Sequence, residues 1–296
     1  MIKKTILTSI VLFSIWSIIL YAYPNLSVSQ HQWQDNYIRA EKYLYASDEI
    51  ENVIIGSSLS TRIIMDSLPT FYNLSFGGQS TFDGLKVITT KANSPNNVFI
   101  EINVLYKEEN KTFTRSLTSQ VPYMTKKKFL AFRSDKQPLA IFGDRIIQPF
   151  ASRVHRLIRK GYYKTFDNSI SFNKSSDSSL FEKMKALQVE RNTQLLSNEK
   201  ITLLIDNLRF AVRNLEKKNI NVIFFEMPVN IEIHNLSKPN QIRSLIQKSF
   251  PNHIFIAAPR DLEKYKTSDG IHLPRDEAAL YTDYLKKEIK TINNNK

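Results

Sequence analysis

The chain has 296 residues and no cysteine, which excludes a disulfide scaffold, a Cys-ligated zinc or iron–sulfur centre and a thiol nucleophile. Hydrophobic residues make up 42% and charged residues 23%, enough apolar matter for a core and too much for wholesale disorder. The 41 Lys and Arg against 28 Asp and Glu give a net charge of +13, a balance that favours nucleic acid, anionic lipid or an anionic polymer as partner.

The first segment narrows that choice. Lys3 and Lys4 precede an uncharged, mostly aliphatic and aromatic run from Thr5 to Tyr23. At 1.5 Å per residue such a run spans ~30 Å, the hydrocarbon thickness of a bilayer. The competing reading is a cleaved signal peptide, whose apolar region usually has ~7–15 residues and ends at a small-x-small site. Here the run ends in Leu20-Tyr21-Ala22-Tyr23-Pro24, a poor cleavage site with interfacial aromatics. Residues 1–24 therefore read as cytoplasmic lysines and an uncleaved single-pass anchor. The positive-inside rule puts the body on the outer, periplasmic or extracellular side of the cytoplasmic membrane, which removes nucleic acid as a partner.

Residues 25–51 read as a polar spacer followed by an amphipathic helix over Asp35–Ala46. From residue 52 to 296 short apolar runs alternate with helical patterns. The expected strands are Asn52–Ile55, Tyr72–Phe76, Val98–Val104, Asn221–Glu226 and His253–Ala257. Their continuous Val/Ile/Phe character is that of strands buried on both faces of a parallel sheet. Helices are expected over Asn198–Lys217 and from about Arg275 to Ile292, giving an α/β layered domain. Residues 105 to about 197 break the alternation and read as a basic helical insertion. From Lys107 to Lys164 there are 14 Lys/Arg against 4 Asp/Glu. There Ile146, Phe150, Val154 and Leu157 could share one side, Pro149 kinks or restarts the helix, and Asn173–Ser179 has the composition of a surface loop.

Gly56-Ser57-Ser58-Leu59-Ser60 follows the first strand directly. A serine at the C-terminal end of a parallel strand sits where α/β sheets place their sites, and a glycine before it permits a tight turn. The same serines could simply cap a helix. A nucleophilic serine needs a base, and of five histidines His272 stands apart, in Ser268-Asp269-Gly270-Ile271-His272-Leu273-Pro274 before the last helix. An Asp three residues ahead in a turn can reach the ring Nδ1–H. His31 lies near the membrane spacer, His155 in the basic stretch, and His234 and His253 in or beside loop and strand segments without a nearby carboxylate pattern. After the second strand comes Asn73-Leu74-Ser75-Phe76-Gly77-Gly78, whose glycine N–H groups can approach an oxyanion closely. The third strand ends in Glu101-Ile102-Asn103, whose carboxamide is a further candidate donor.

In their order these four blocks resemble the SGNH/GDSL hydrolase superfamily: Ser after the first strand, Gly after the second, Asn after the third and Asp-x-x-His before the final helix. The family's Gly-Asp-Ser here reads Gly56-Ser57-Ser58 and its Gly-x-Asn-Asp reads Glu101-Ile102-Asn103-Val104. The resemblance implies a three-layer α/β/α sandwich on a five-stranded parallel sheet. It implies Ser58 as nucleophile, His272 as base and Asp269 as its orienter, and an oxyanion hole of the Ser58 and Gly78 N–H groups with the Asn103 amide. It calls for no cofactor and no metal. Membrane-anchored relatives in alginate O-acetylation and teichoic acid D-alanyl transfer are similar to this chain. They suggest an esterase or O-acyltransferase acting on a cell-envelope polysaccharide, with an acyl donor, a glycan or polymer acceptor and a membrane-bound acyl-transfer partner. From the charge of the insertion, Arg153, Arg156, Arg159 and Lys160 are expected to hold an anionic glycopolymer or a lipid headgroup, the bland alternative being a solvated helix face. A non-catalytic scaffold of the same fold, holding such a polymer on the basic insertion, is the rival expectation. A soluble lipase released by cleavage is the third.

Overall fold

The structure, a computed structural model, describes residues 2–27, 32–91, 93–142 and 177–294. In chain order it contains α1 (Ile2–Ala22), α2 (Gln32–Tyr45), β1 (Asn52–Ile55), β2 (Phe71–Asn73), α3 (Thr81–Thr90), β3 (Asn97–Glu101), α4 (Lys111–Thr118), α5 (Gln120–Lys128) and α6 (Pro138–Phe142). It continues with α7 (Asp177–Thr193), α8 (Asn198–Glu216), β4 (Asn221–Phe225), α9 (Ile231–His234), α10 (Ser237–Ser249), β5 (Ile254–Ile256) and α11 (Arg275–Asn294). The chain divides into two compact units: Met1–Tyr45 with Ser116–Ser176, and Ala46–Arg115 with Asp177–Lys296.

The larger unit is built on a five-stranded, wholly parallel sheet of order β2-β1-β3-β4-β5. Every strand is short and rich in Val, Ile and Phe, so both pleat faces are apolar and both need a cover. One face, carrying Ile54, Phe99, Ile223 and Phe225, packs on Ala278, Tyr281 and Leu285 of α11. On the other, α3 lies against β1 and α8 against β4. The α3 helix comes so close that a Cβ on Gly84 would touch the Ile55 side chain. A capping box starts α3: Ser80 Oγ accepts from the Phe82 N–H, and the Asp83 carboxylate accepts from the Ser80 N–H at 2.8 Å. The amphipathic α8 buries Leu204, Ile205, Leu208, Val212 and Leu215. It ends ahead of Asn219, whose φ of +58° is the left-handed turn that stops a helix.

Order 2-1-3 reverses at β1, so the C-terminal ends of β1 and β3 flank the switch point where open α/β sheets form their crevice. Two strand readings shift: β2 ends at Asn73 and β3 at Glu101, although Leu74, Phe76 and Ile102 continue the backbone bonding to Ile54, Gly56 and Phe225. The α7 helix starts at Asp177, inside the segment expected to be a loop to Ser179.

The smaller unit contains α1, long and apolar enough to cross a membrane, and α2, α5 and α6. A buried Glu41 on α2 accepts from Lys126 Nζ at 2.7 Å and from both the N–H and the hydroxyl of Ser134. Lys136, also buried, donates to the Pro24 and Leu26 carbonyls at 2.6 and 2.7 Å. Arg153, Arg156, Arg159 and Lys160, together with Ile146, Pro149, Phe150, His155, Val154 and Leu157, lie outside the described residues, as does His31.

Candidate active site

The loop after β1 is folded around one acid. Glu101, the last residue of β3, is fully buried, and its Oε2 accepts from the Ser57 N–H at 2.8 Å, the Ser60 N–H at 3.3 Å and the Ser60 hydroxyl at 2.5 Å. Oε1 accepts from the Ser57 hydroxyl at 2.8 Å. A side chain on Gly56 would overlap both the Ser60 hydroxyl and this carboxylate, so only glycine fits there. Burial pushes the Glu101 carboxyl up from its ordinary range, against the pull of these serine hydrogen bonds. With Ser57 and Ser60 turned inward, Ser58 is the serine of the loop left partly exposed.

Ser58 Oγ lies 2.8 Å from His272 Nε2. The other ring nitrogen, Nδ1, lies 2.7 Å from Asp269 Oδ2. That contact is set locally: Asp269 Oδ1 accepts from the Ile271 and His272 N–H groups at 3.1 and 2.8 Å, closing a turn through Gly270 at φ +96°. The Ser268 N–H donates to the His272 carbonyl at 2.8 Å, and a side chain on Gly270 would collide with Ile233. Burial works against the Asp269 charge, but the His272 ring and these main-chain donors outweigh it and hold its pKa down at about 2. An ionised carboxylate only accepts, so Nδ1 carries the ring proton and Nε2 is the acceptor for the Ser58 hydroxyl. The three residues expected to form a triad are thus brought into one hydrogen-bonded line.

The three expected oxyanion donors fare differently. Among the described residues neither the Ser58 nor the Gly78 N–H donates to a protein acceptor. Gly78 stands exposed at φ +75° with open space beyond it, and Lys107 Nζ reaches its carbonyl at 3.4 Å. Asn103 is engaged at both ends of its carboxamide: Nδ2 donates to the Met227 carbonyl at 2.9 Å and Oδ1 accepts from the Met227 N–H at 2.8 Å. Those bonds join the β3 and β4 loops and leave one Nδ2–H uncommitted.

Two groups were not anticipated. Glu101 holds the Ser57–Ser60 loop, and an acid closing an uninterrupted apolar strand is the signal for it in the sequence. Glu226, at the end of β4, is buried and pairs with Arg243 through two bonds of 2.7 and 3.0 Å, with His234 Nδ1 at 3.5 Å. Burial, then Arg243, push the His234 ring down, against Glu226. His253 likewise meets Glu216 at 3.0 Å, so both histidines have carboxylates that sequence proximity did not show. Glu226 borders a cavity of about 40 Å³ shared with Leu59, Asn103 and Ile271, the chain neighbours of the triad and of Ile102.

No protein family, curated protein or solved structure matches this chain.

Proposed function

We propose that the chain is a serine-dependent acyl-ester enzyme of the SGNH type, an esterase or O-acyltransferase of a cell-envelope polysaccharide. The observation that carries this reading is the line Ser58 Oγ–His272 Nε2, 2.8 Å, and His272 Nδ1–Asp269 Oδ2, 2.7 Å, at the switch point of the sheet. The order of the blocks on the strands also supports it: Ser58 after β1, Gly78 after β2, Asn103 after β3, and Asp269 and His272 before α11.

In this mechanism His272 Nε2 takes the Ser58 proton as Oγ attacks the acyl carbonyl. The resulting imidazolium is stabilised by ionised Asp269. The Ser58 and Gly78 N–H groups, with the uncommitted Nδ2–H of Asn103, are the donors available to the oxyanion. Collapse breaks the ester C–O bond, His272 returns the proton to the leaving alkoxide, and an acyl-Ser58 ester remains. Water or a sugar hydroxyl then gives its proton to His272 and takes the acyl group, regenerating Ser58. Water makes the reaction hydrolysis; a glycan hydroxyl makes it transfer.

A fluorophosphonate probe, with the modified peptide mapped, tests the proposal. Labelling is expected at Ser58 and lost in Ser58→Ala. A folded wild-type protein that resists the probe leaves the scaffold reading in place of the triad, and labelling at another serine removes Ser58 as the nucleophile.

A further inference from the structure

The apolar helix α1 is not bare along its length. Residues 2–12 are all exposed, whereas Phe13, Trp16, Ser17 and Leu20 form a stripe at helical spacing that is progressively covered, Leu20 completely. The cover is a turn of the same compact unit, Leu130–Phe132, with its flanks. The Phe13 ring lies 5.0 Å from that of Phe132 and 6.3 Å from that of Phe129. Trp16 Nε1 donates to the Lys136 carbonyl at 3.0 Å. A helix removed by a processing peptidase has no use for such a seat, so this packing favours an α1 that stays with the protein.

The length of the bare part then sets a constraint. Eleven exposed residues rise only ~16 Å, about half of the ~30 Å hydrocarbon core of a bilayer. If α1 crosses, its covered half must lie in the hydrocarbon too, and the seat must go in with it. The outward side of the seat is suited to that: Phe129 and Phe132 remain 47% and 43% exposed despite packing on Phe13, and Met124 of α5 is 45% exposed. Lys127 and Lys128, both exposed, stand immediately before Phe129, where they would meet anionic headgroups. One residue beyond Phe132 the character changes. Arg133 lies over the Tyr45 ring, and Ser134 and Lys136 enter the buried polar network of Glu41 and the Pro24 and Leu26 carbonyls.

We propose that the Phe129–Phe132 turn is a membrane wedge. It accompanies α1 into the outer leaflet of a phospholipid bilayer, with the Lys136 ammonium on the Pro24 and Leu26 carbonyls marking the water boundary and Lys127 and Lys128 reaching for the headgroups. The partner is the lipid leaflet itself, and continuity with α1 together with the flanking basic residues identifies it. The inference is independent of the Ser58 chemistry.

The absence of cysteine allows single-site spin labelling of the full chain. Phe129→Cys, Phe132→Cys, Met124→Cys, Ile15→Cys on α1 and Asn219→Cys on the larger unit would be labelled in vesicles of phosphatidylcholine and phosphatidylglycerol. Collision with oxygen and with a water-soluble nickel chelate would then be measured, each variant first checked by thermal unfolding. Labels at 129 and 132 are expected to lose nickel access as completely as the label at 15 while gaining oxygen access, with 219 remaining open to nickel. Met124, on α5 and 45% exposed, is a third position on this side and gives the same reading where a phenylalanine change perturbs the seat. Nickel access at 124, 129 and 132 with none at 15 overturns the wedge. So does nickel access at 15, and so does protection from both reagents at 129 and 132, which would mean that protein, not lipid, covers the turn.

Discussion

Replacing Glu101 separates what its acceptor geometry does from what its charge does. In Glu101→Leu, a near-isosteric apolar change, the buried Ser57 and Ser60 N–H groups and both hydroxyls lose the acceptor they now share. Each buried N–H left unsatisfied costs about 1–3 kcal/mol, so the two together cost about 2–6 kcal/mol before the hydroxyls are counted. For a chain of this size that lowers Tm by about 3–10 °C. Glu101→Gln behaves differently. Its carbonyl can occupy the Oε2 position and keep both main-chain bonds, while its NH₂ meets Ser57 Oγ, a hydroxyl that can accept as well as donate. The loss is then about one hydrogen bond, roughly 1 kcal/mol, partly offset because a buried charge is no longer needed. The assay is thermal unfolding in parallel with the rate of fluorophosphonate labelling at Ser58. Glu101→Leu should slow labelling by about 100-fold, the scale expected when a reacting group is misplaced by an ångström, and Glu101→Gln by far less. If Leu leaves both Tm and labelling unchanged, the carboxylate does not hold the loop. If Gln is as damaging as Leu, the acceptor argument fails and the charge itself is what matters.

Asp269→Asn should leave the turn largely intact but present Nδ1 with the wrong tautomer, reducing the labelling rate by up to about ten-thousand-fold. The Asp269 pKa of about 2 lies below its unfolded value, so its contribution to stability is fully present above ~4 and is lost as pH falls toward 2. Acid unfolding curves of wild type and Asp269→Asn should therefore converge only at the acid end. Converting Arg153, Arg156, Arg159 and Lys160 to Gln should weaken binding to an anionic polysaccharide at low salt and little at high salt, because such contacts are screened over ~8–10 Å. Turnover of a small neutral ester should be unchanged in that variant.

The parts of this protein that were legible in its sequence are those whose partners are close in sequence or fixed by class. The strands were readable because a parallel sheet covered on both faces demands uninterrupted apolar runs, and Asn52–Ile55 shows this most plainly. The Asp269–His272 contact was readable because three residues and a glycine turn suffice to make it. What could not be read depended on distance. Three serines of one pentapeptide are equivalent on paper. They are told apart by Glu101, more than forty positions away, which draws two of them inward. The carboxylates of His234 and His253 come from Glu226 and Glu216, and the engagement of Asn103 comes from Met227 on another strand. The strand ends were misjudged for the same reason, since Leu74, Phe76 and Ile102 remain apolar and bonded after the ladder has ended.

The strand order explains why these distant groups converge on Ser58. With β1 between β2 and β3, the loop after β1 has the β2 and β3 loops as its two lateral neighbours. Each neighbour therefore has a distinct task. The β2 side supplies a glycine turn, Gly77-Gly78, anchored by the Ser80 cap of α3 and by the Ser80 hydroxyl on the Lys107 carbonyl at 2.6 Å. The β3 side supplies Glu101 beneath the loop, and two residues later Asn103, committed to the β4 loop. His272 reaches Ser58 from outside the sheet edge, from the turn before α11. That turn is held by the burial of Tyr281, whose hydroxyl donates to the Glu226 carbonyl at 2.9 Å, and by Thr282, which accepts from the Ile64 N–H at 3.0 Å. Because α11 bonds both to the residue after β4 and to the segment following Ser58, the packing of α11 joins the local loop bonds in setting the distance between Ser58 and His272. A change that loosens Tyr281 should therefore disturb the triad before it disturbs the strands.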